Sequence, residues 1–260
     1  MDFLRRCALV LLLIATVPLG AQDHAGDWRP LGDDLRVRPL TEGLWLYESD
    51  TQWGSRTVPA NGLIVHDRDE IAVIDTPWTE EQTARLLDWV AEELKAPVVA
   101  LLGTHFHPDA FGGIAEAHRR GIVTWGHALT GEHALENDRE VPKRTFDDRQ
   151  ILSVGGQRVE AVYLGPGHSP DNFMVWLPAR RILYGGCALK AASWTSLGYL
   201  GDADLERWPA MLEAAARTFD AVTVIPGHGP PGGPELFAHT LDLLQRQADR
   251  AAGNRGEGPD

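Results

Sequence analysis

Four short segments of the 260-residue sequence place zinc-binding side chains directly after predicted strands. Together they offer four imidazoles, one carboxylate and one thiolate, which are the donors that zinc prefers. Because loops at strand ends are held by the rigid sheet behind them, the four segments are expected to meet along one rim of the fold. In chain order they are residues 104–109, 165–168, 185–187 and 226–229.

The first segment has the spacing of a shared metal site. In an extended or tightly turned stretch, side chains two residues apart point the same way. His105 and His107 can therefore bind one ion, while Asp109 reaches a neighbouring one. Gly112 and Gly113 then allow the chain to turn into a helix at close quarters.

Each donor by itself has an ordinary explanation that competes with metal binding. Asp109 alone fits a helix cap, His228 alone fits a loop residue, and Cys187 alone fits a buried apolar thiol. Four strand-end segments with such donors in one chain favour the metal site. The remaining histidines are assigned to surface or core positions: His24, His66, His118, His127, His133 and His239.

Strands followed by helices recur in both halves of the chain. Residues 70–74 form a predicted buried strand, and Thr79 with Gln82 predicts a capping box at the start of a helix over residues 80–95. In the second half, an amphipathic helix over residues 205–219 precedes a short strand. This alternation predicts an α/β fold, with two sheets packed face to face and helices outside.

The N-terminus has the pattern of a secretory signal peptide. Arg5 and Arg6 precede an apolar run that ends in small residues near Ala21. The run is too short to span a bilayer comfortably, so no stable membrane anchor is expected. We predict a signal peptide over residues 1–21 and export of the mature chain to the periplasm.

The rest of the chain predicts one domain over residues 22–252 and a disordered tail over residues 253–260. Removal of the signal peptide would remove Cys7 and leave Cys187 as a single thiol in an oxidising compartment. Ligation of zinc as a thiolate would explain such a cysteine. The formal net charge of −13 argues against nucleic acid or an anionic membrane as a partner.

A resemblance to a known family adds to these inferences. The stretch from His105 to Asp109, followed by Gly112 and Gly113, resembles the signature of the metallo-β-lactamase superfamily. Ala110 stands where many members carry a histidine, so the second metal must draw on another donor. With Cys187 as that donor, the chain resembles the first subclass of class B β-lactamases, the cysteine-ligated, two-zinc enzymes.

The similarity runs from about Gly43 to Gly229 and includes residues 61–65, 74–76 and 201–204. It implies the four-layer αββα sandwich of the metallo-β-lactamase fold, two Zn²⁺ ions and a monomer. The implied ligands are His105, His107 and His168 for one ion and Asp109, Cys187 and His228 for the other.

The resemblance also implies roles around the metals. Lys190 matches the position that binds the substrate carboxylate, and Asp75 matches a buried acid behind the metal-binding loop. Asp109 would orient the attacking water. Tyr199 replaces an asparagine that commonly polarises the lactam carbonyl. Trp53 lies on a predicted polar loop over residues 50–59 that has its own sequence, and it either covers the substrate or is simply exposed.

The leading hypothesis is hydrolysis of the β-lactam amide of penicillins, cephalosporins and carbapenems by a zinc-bound hydroxide, which gives antibiotic resistance. Because a fold does not fix a function, a periplasmic zinc hydrolase of lactones or thioesters is an alternative. A zinc-binding protein without catalysis is a second alternative, although the implied zinc shell leaves room for water and substrate, unlike a closed structural site.

Overall fold

A computed structural model describes residues 26–256, with side chains to residue 253. The predicted signal peptide lies outside these residues. The described strands are β1 (Arg29–Pro30), β2 (Leu35–Thr41), β3 (Leu44–Trp53), β4 (Arg56–Asp67), β5 (Glu70–Ile74), β6 (Val98–Leu102), β7 (Thr124–His127), β8 (Arg144–Phe146), β9 (Arg149–Val154), β10 (Gln157–Tyr163), β11 (Phe173–Leu177), β12 (Ile182–Gly186) and β13 (Thr223–Pro226).

The helices lie between and after these strands. A π-helical turn, Val90–Leu94, continues the first helix, and a 3-10 turn, Pro178–Arg180, joins β11 to β12. None of the described helices is long and apolar enough to cross a membrane. The α-helices are α1 (Glu80–Trp89), α2 (Pro108–Phe111), α3 (Ile114–Arg119), α4 (Ala128–Glu136), α5 (Trp208–Thr218) and α6 (Glu235–Gly256).

The strands form two sheets. The first holds β1 to β8 in chain order, and the second has the order β13-β12-β11-β10-β9. Neighbouring strands are parallel from β5 to β8 and between β12 and β13, and antiparallel elsewhere. Because parallel neighbours need crossover connections, helices lie between these strands and return the chain to the same rim.

Three hydrophobic clusters hold the layers together. Side chains of both sheets fill the space between them, including Leu46, Leu63, Val159, Val175 and Tyr184. A second cluster packs α1 and α3 on the first sheet, and a third packs α5 and α6 on the second sheet. The order helix, sheet, sheet, helix confirms the predicted four-layer αββα sandwich.

The predicted capping box at the start of α1 is only half formed. The Thr79 hydroxyl accepts a hydrogen bond from the Gln82 backbone N–H at 3.2 Å, as a capping residue does. The Gln82 side chain does not return to the cap. Its Nε2 donates instead to the backbone carbonyl of Asp50 at 2.8 Å, and so ties α1 to β3.

The predicted polar loop over residues 50–59 is instead the end of a long β-hairpin. Strands β3 and β4 stay paired out to Trp53 and Arg56, and Gly54 in the two-residue turn has a φ of 61°. Such a turn requires positive φ and matches the twist of the strands. The outer half of the hairpin packs on no core, so its sequence lacks the apolar alternation that marks a strand.

At the C-terminal end, helix α6 continues to Gly256, into the residues 253–260 for which the sequence predicts a disordered tail. Residues 257–260 lie outside the described part of the chain.

Candidate metal centre

The structure brings the six predicted metal ligands together at one rim of the sandwich. His105, His107 and Asp109 follow β6, and His168 lies on the connection between β10 and β11. Cys187 follows β12, and His228 follows β13. The donor atoms form three overlapping triplets, and the atoms of each triplet lie within 4.8 Å of one another.

The three imidazoles of the predicted three-histidine set, those of His105, His107 and His168, lie close together. His107 Nδ1 and His168 Nε2 are 3.2 Å apart, and the three ring centroids lie 4.8 to 5.2 Å from one another. His105 Nε2 is buried without a hydrogen-bond partner. Nitrogen ligands about 2.0–2.1 Å from a tetrahedral zinc are roughly 3.3 Å apart, so this set fits a zinc ion.

The other set forms a tight triangle. Asp109 Oδ2 lies 3.0 Å from Cys187 Sγ and 3.1 Å from His228 Nε2, and the thiol lies 3.3 Å from the same imidazole nitrogen. One carboxylate, one thiol and one imidazole at these separations match the chemistry and size of a zinc site. The residues present therefore fit zinc.

The charges of the site favour a cation. Burial tends to raise the pKa of Asp109, yet the adjacent His105 and His228 hold that pKa well below its ordinary value. Burial, together with the nearby Asp109 carboxylate, raises the pKa of the Cys187 thiol. The site thus holds a buried carboxylate and a thiol whose proton a metal ion would displace.

Glycines allow the two strand ends to approach each other. A Cβ atom on Gly227 would collide with the Cys187 sulfur, and Gly186 has a φ of 54° just before that cysteine. A side chain is excluded by lack of space at Gly227 and disfavoured by the left-handed backbone at Gly186. These glycines keep Cys187 and His228 within reach of one ion.

The outer nitrogens of two ligands are fixed by partners that sequence reasoning missed. His107 Nε2 lies 2.9 Å from the Asp202 carboxylate, and His228 Nδ1 donates to the Pro59 carbonyl at 2.6 Å. Such bonds fix the tautomer and leave the other ring nitrogen for the metal. Asp202 belongs to a stretch matched by family resemblance, but nothing in its spacing indicates this contact.

Two buried side chains join the metal-binding segments to the first sheet. Asp75 has a φ of 63° and accepts from the Thr104 backbone N–H and the Tyr184 hydroxyl, each at 2.7 Å. Burial raises the pKa of Asp75 to about 7. Asn61 Nδ2 donates to the carbonyls of Pro226 and Gly229, at 2.8 and 2.7 Å, on either side of His228.

A cavity of about 650 Å³ opens onto four of the six predicted ligands, His107, Asp109, His168 and His228. Lys190 lines it with 3% of its surface exposed, and its Nζ lies 5.5 Å from the centroid of the Trp208 ring. Burial lowers the pKa of Lys190, while Cys187 and Asp109 oppose that change. The predicted carboxylate-binding lysine is therefore in the cavity wall, next to the triangle of ligands.

Tyr199 and Trp53 lie next to each other in the cavity wall. They are 51% and 62% exposed, and their ring centroids are 6.3 Å apart. The Tyr199 ring meets His107 edge-on at 5.5 Å, and the Asp202 carboxylate raises the pKa of its hydroxyl. Ala110 is buried in α2, and its carbonyl accepts from the Thr76 backbone N–H at 2.9 Å.

Comparisons with known proteins agree with this geometry. A family model described as the metallo-beta-lactamase superfamily matches residues 55–228. The chain is 36% identical to the metallo-beta-lactamase type 2 of Bacteroides fragilis over 83% of this chain and 88% of the relative. It is 34% identical to the metallo-beta-lactamase type 2 of Bacillus cereus over 81% of this chain and 83% of that relative.

Solved structures give the same result. The metallo-beta-lactamase from Pontibacter korlensis has a TM-score of 0.79 at 37% identity, with 81% of this chain and 99% of that chain covered. FIM-1 from Pseudomonas aeruginosa, solved in a mono-zinc form, has a TM-score of 0.78 at 35% identity, with 84% and 98% covered. Relatives above 30% identity along most of its length show that the chain belongs to the metallo-beta-lactamase superfamily.

Proposed function

We propose that this protein hydrolyses the amide bond of β-lactam antibiotics and uses two zinc ions. The observation that carries the proposal is that imidazoles, a carboxylate and a thiol lie within zinc-binding distance of one another beside a cavity, which is lined by His107, Asp109, His168, His228 and the buried Lys190. A closed structural zinc site would not need that cavity. The curated relatives, named metallo-beta-lactamases, support the same substrate class.

Zinc at this position supplies Lewis acidity and makes a nucleophile available from water near neutral pH. His105, His107 and His168 would hold one ion. Asp109, whose second oxygen lies 3.4 Å from His105 Nε2, borders both triplets. Its carboxylate is placed to orient the attacking water by accepting a hydrogen bond, because its low pKa keeps it ionised.

Lys190 would bind the carboxylate that penicillins, cephalosporins and carbapenems share. The ammonium group is buried near Cys187 and Asp109, which oppose the lowering of its pKa by burial. An ion pair in such a desolvated site is stronger than one at the surface. This contact would place the lactam amide over the metal ligands.

Two exposed aromatic residues would complete the substrate site. Trp53 lies at the tip of the β-hairpin, where it can cover a bound antibiotic on one side of the mouth. Tyr199 lies next to Trp53 and would donate a hydrogen bond to the lactam carbonyl oxygen as charge develops there. For this role the Tyr199 hydroxyl must leave the Asp202 carboxylate, with which it interacts in the free protein.

A periplasmic location and a monomeric state complete the proposal. The location depends on the signal-peptide pattern of residues 1–21. A monomer is inferred from family resemblance.

The proposal is tested by hydrolysis of imipenem, nitrocefin and benzylpenicillin by the purified mature chain. We expect turnover that a chelator abolishes, that added zinc restores and that Cys187→Ser lowers strongly. Arg217→Gln, which changes an exposed arginine of α5, is the matched control and should leave turnover unchanged. Full zinc content without turnover would contradict the proposal, and hydrolysis of lactones or thioesters instead would identify the alternative enzyme.

A further inference from the structure

The cavity carries a second positively charged side chain, Arg139, which the function described so far does not use. It lies just beyond the end of α4. Asp138 adopts a φ of 54°, and the Arg139 backbone N–H donates to the Ala134 carbonyl at 2.9 Å. This left-handed residue with its backward hydrogen bond is a common way to end a helix, and aspartate tolerates it. The backbone of Arg139 is therefore held in place.

The guanidinium group is held as well. Arg139 Nη1 donates to the Phe106 carbonyl at 2.9 Å, and Phe106 lies between the ligands His105 and His107. An arginine has five N–H donors in a fixed planar arrangement, so this bond leaves others for a ligand. The contact orients the guanidinium against the metal-binding loop, at the wall of the cavity.

No carboxylate neutralises Arg139 within the described part of the chain. Two glutamates near it in sequence bind elsewhere: Glu140 pairs with His118 at 2.6 Å, and Glu136 pairs with His133 at 3.0 Å. Asp202, which also lines the cavity, faces His107. An unpaired arginine that is half-buried in a cavity wall is a binding group for an anion.

The two cations of the cavity belong to different walls. Lys190 follows β12 of the second sheet and lies beside Cys187, whereas Arg139 follows α4 of the first sheet and lies behind Phe106. In a penicillin, the ring carboxylate and the acylamino side chain lie at opposite ends of the bicyclic nucleus. A substrate bound to Lys190 by its ring carboxylate would therefore extend its side chain away from that lysine.

We propose that Arg139 is a specificity-determining residue that binds an anionic group on the acylamino side chain of the substrate. The inference depends on the β-lactamase activity proposed above and extends it: the cavity is built for dianionic β-lactams. Substrates with a neutral side chain would bind through Lys190 and the metals alone.

A matched pair of antibiotics tests this inference. Benzylpenicillin and carbenicillin differ by one carboxylate on the carbon next to the side-chain carbonyl. In holoenzyme at low salt, Arg139→Gln should lower kcat/KM for carbenicillin about fivefold and change that for benzylpenicillin by less than about twofold. Arg139→Lys should keep most of the preference, and roughly 0.5 M salt should weaken it in the unmodified enzyme. Arg217→Gln is the matched control.

The outcomes separate this inference from the proposed function. An equal loss of kcat/KM for both penicillins would mean that Arg139 only supports the Phe106 loop. Unchanged kcat/KM values for both would mean that Arg139 binds no side chain of the substrate. Either result overturns the subsite. If neither penicillin is hydrolysed, the proposed function fails. Binding of the intact antibiotics, followed by the fluorescence of Trp53 and Trp194 in the cavity wall, then decides the subsite. Equal effects of Arg139→Gln on the two dissociation constants would overturn it, and a selective loss for carbenicillin would support it.

Discussion

The Nε2 atom of His107 lies 2.9 Å from the carboxylate of Asp202, while Nδ1 of the same ring faces His168 at 3.2 Å. The carboxylate therefore accepts the proton of Nε2 and leaves Nδ1 free for the metal. Partners of this kind commonly change metal affinity about 10- to 100-fold when they are removed. Asp202 thus supports the three-histidine site from a loop that is distant in the chain.

From this relationship we predict that Asp202→Asn weakens zinc binding at the three-histidine site about tenfold. The amide keeps the shape of the side chain but donates as readily as it accepts, so it no longer selects the tautomer. Competition with a chromophoric chelator measures the change. Glu206→Gln removes the same charge from an exposed position nearby and should leave zinc affinity unchanged. Equal affinities of the Asp202 variant and the unmodified protein would contradict this role.

Zinc binding should release a proton from Cys187. Burial and the Asp109 carboxylate raise the pKa of the thiol, so the metal-free protein carries it protonated at neutral pH. Zinc binds the thiolate, and zinc affinity at this site should therefore rise up to about tenfold per pH unit. A pH-stat titration should show about one proton fewer released per chain in Cys187→Ser. Equal proton release by the two proteins would mean that Cys187 is not a ligand.

Asp75 should make the stability of the metal-free protein depend on pH. Its pKa is about 7 in the folded chain, well above its ordinary value, because it is buried. Between roughly pH 4 and 7, Asp75 stays protonated in the folded state but is ionised in the unfolded chain. The free energy of unfolding therefore falls as the pH rises through this range. The loss amounts to up to about 4 kcal/mol at pH 7.

The variant Asp75→Asn isolates this effect. Asparagine tolerates the left-handed backbone of residue 75 and can still accept from the Thr104 backbone N–H. Urea unfolding at several pH values should show that the free energy of unfolding of the unmodified protein falls relative to that of the variant between roughly pH 4 and 7. Parallel pH profiles of the two proteins would show that Asp75 does not titrate in this range.

The grouping of the six predicted ligands at one rim was predictable because each of these residues follows a strand and carries its own chemical signal. The sequence spacing of His105, His107 and Asp109 is short enough to be judged from local geometry. The supporting contacts have no such signal. Asp202 and His107 are 95 residues apart, and Asn61 is 165 residues from Pro226, so only the folded sheets bring these pairs together.

The fold class was predictable for a similar reason, and the β-hairpin was not. The spacing of apolar residues indicates which face of a strand or helix is buried. The buried strands and the helices of both outer layers show this spacing, so their type could be predicted. The outer parts of β3 and β4 are held by their own ladder and by contacts such as Gln52 Nε2 to Thr57 Oγ1 at 2.9 Å. A polar strand without a buried face resembles a loop in sequence.

Asn61 should be needed to hold His228 at the second metal. Its Nδ2 bonds to the carbonyls of Pro226 and Gly229, and its backbone N–H donates to the Gly227 carbonyl at 2.8 Å. Asn61→Ala leaves two carbonyls without this donor, at a cost of about 2 kcal/mol of stability. It also frees the segment that carries His228. We therefore expect the variant to lose zinc from the Asp109, Cys187 and His228 set before the three-histidine set.

Zinc content measured at increasing chelator concentrations tests the loss of zinc, and unfolding by urea tests the loss of stability. Gln245→Ala, which removes an exposed amide on α6, should change neither quantity. If Asn61→Ala lowered stability while both sites kept their affinities, Asn61 would support the fold alone and His228 would owe its position to the Pro59 carbonyl.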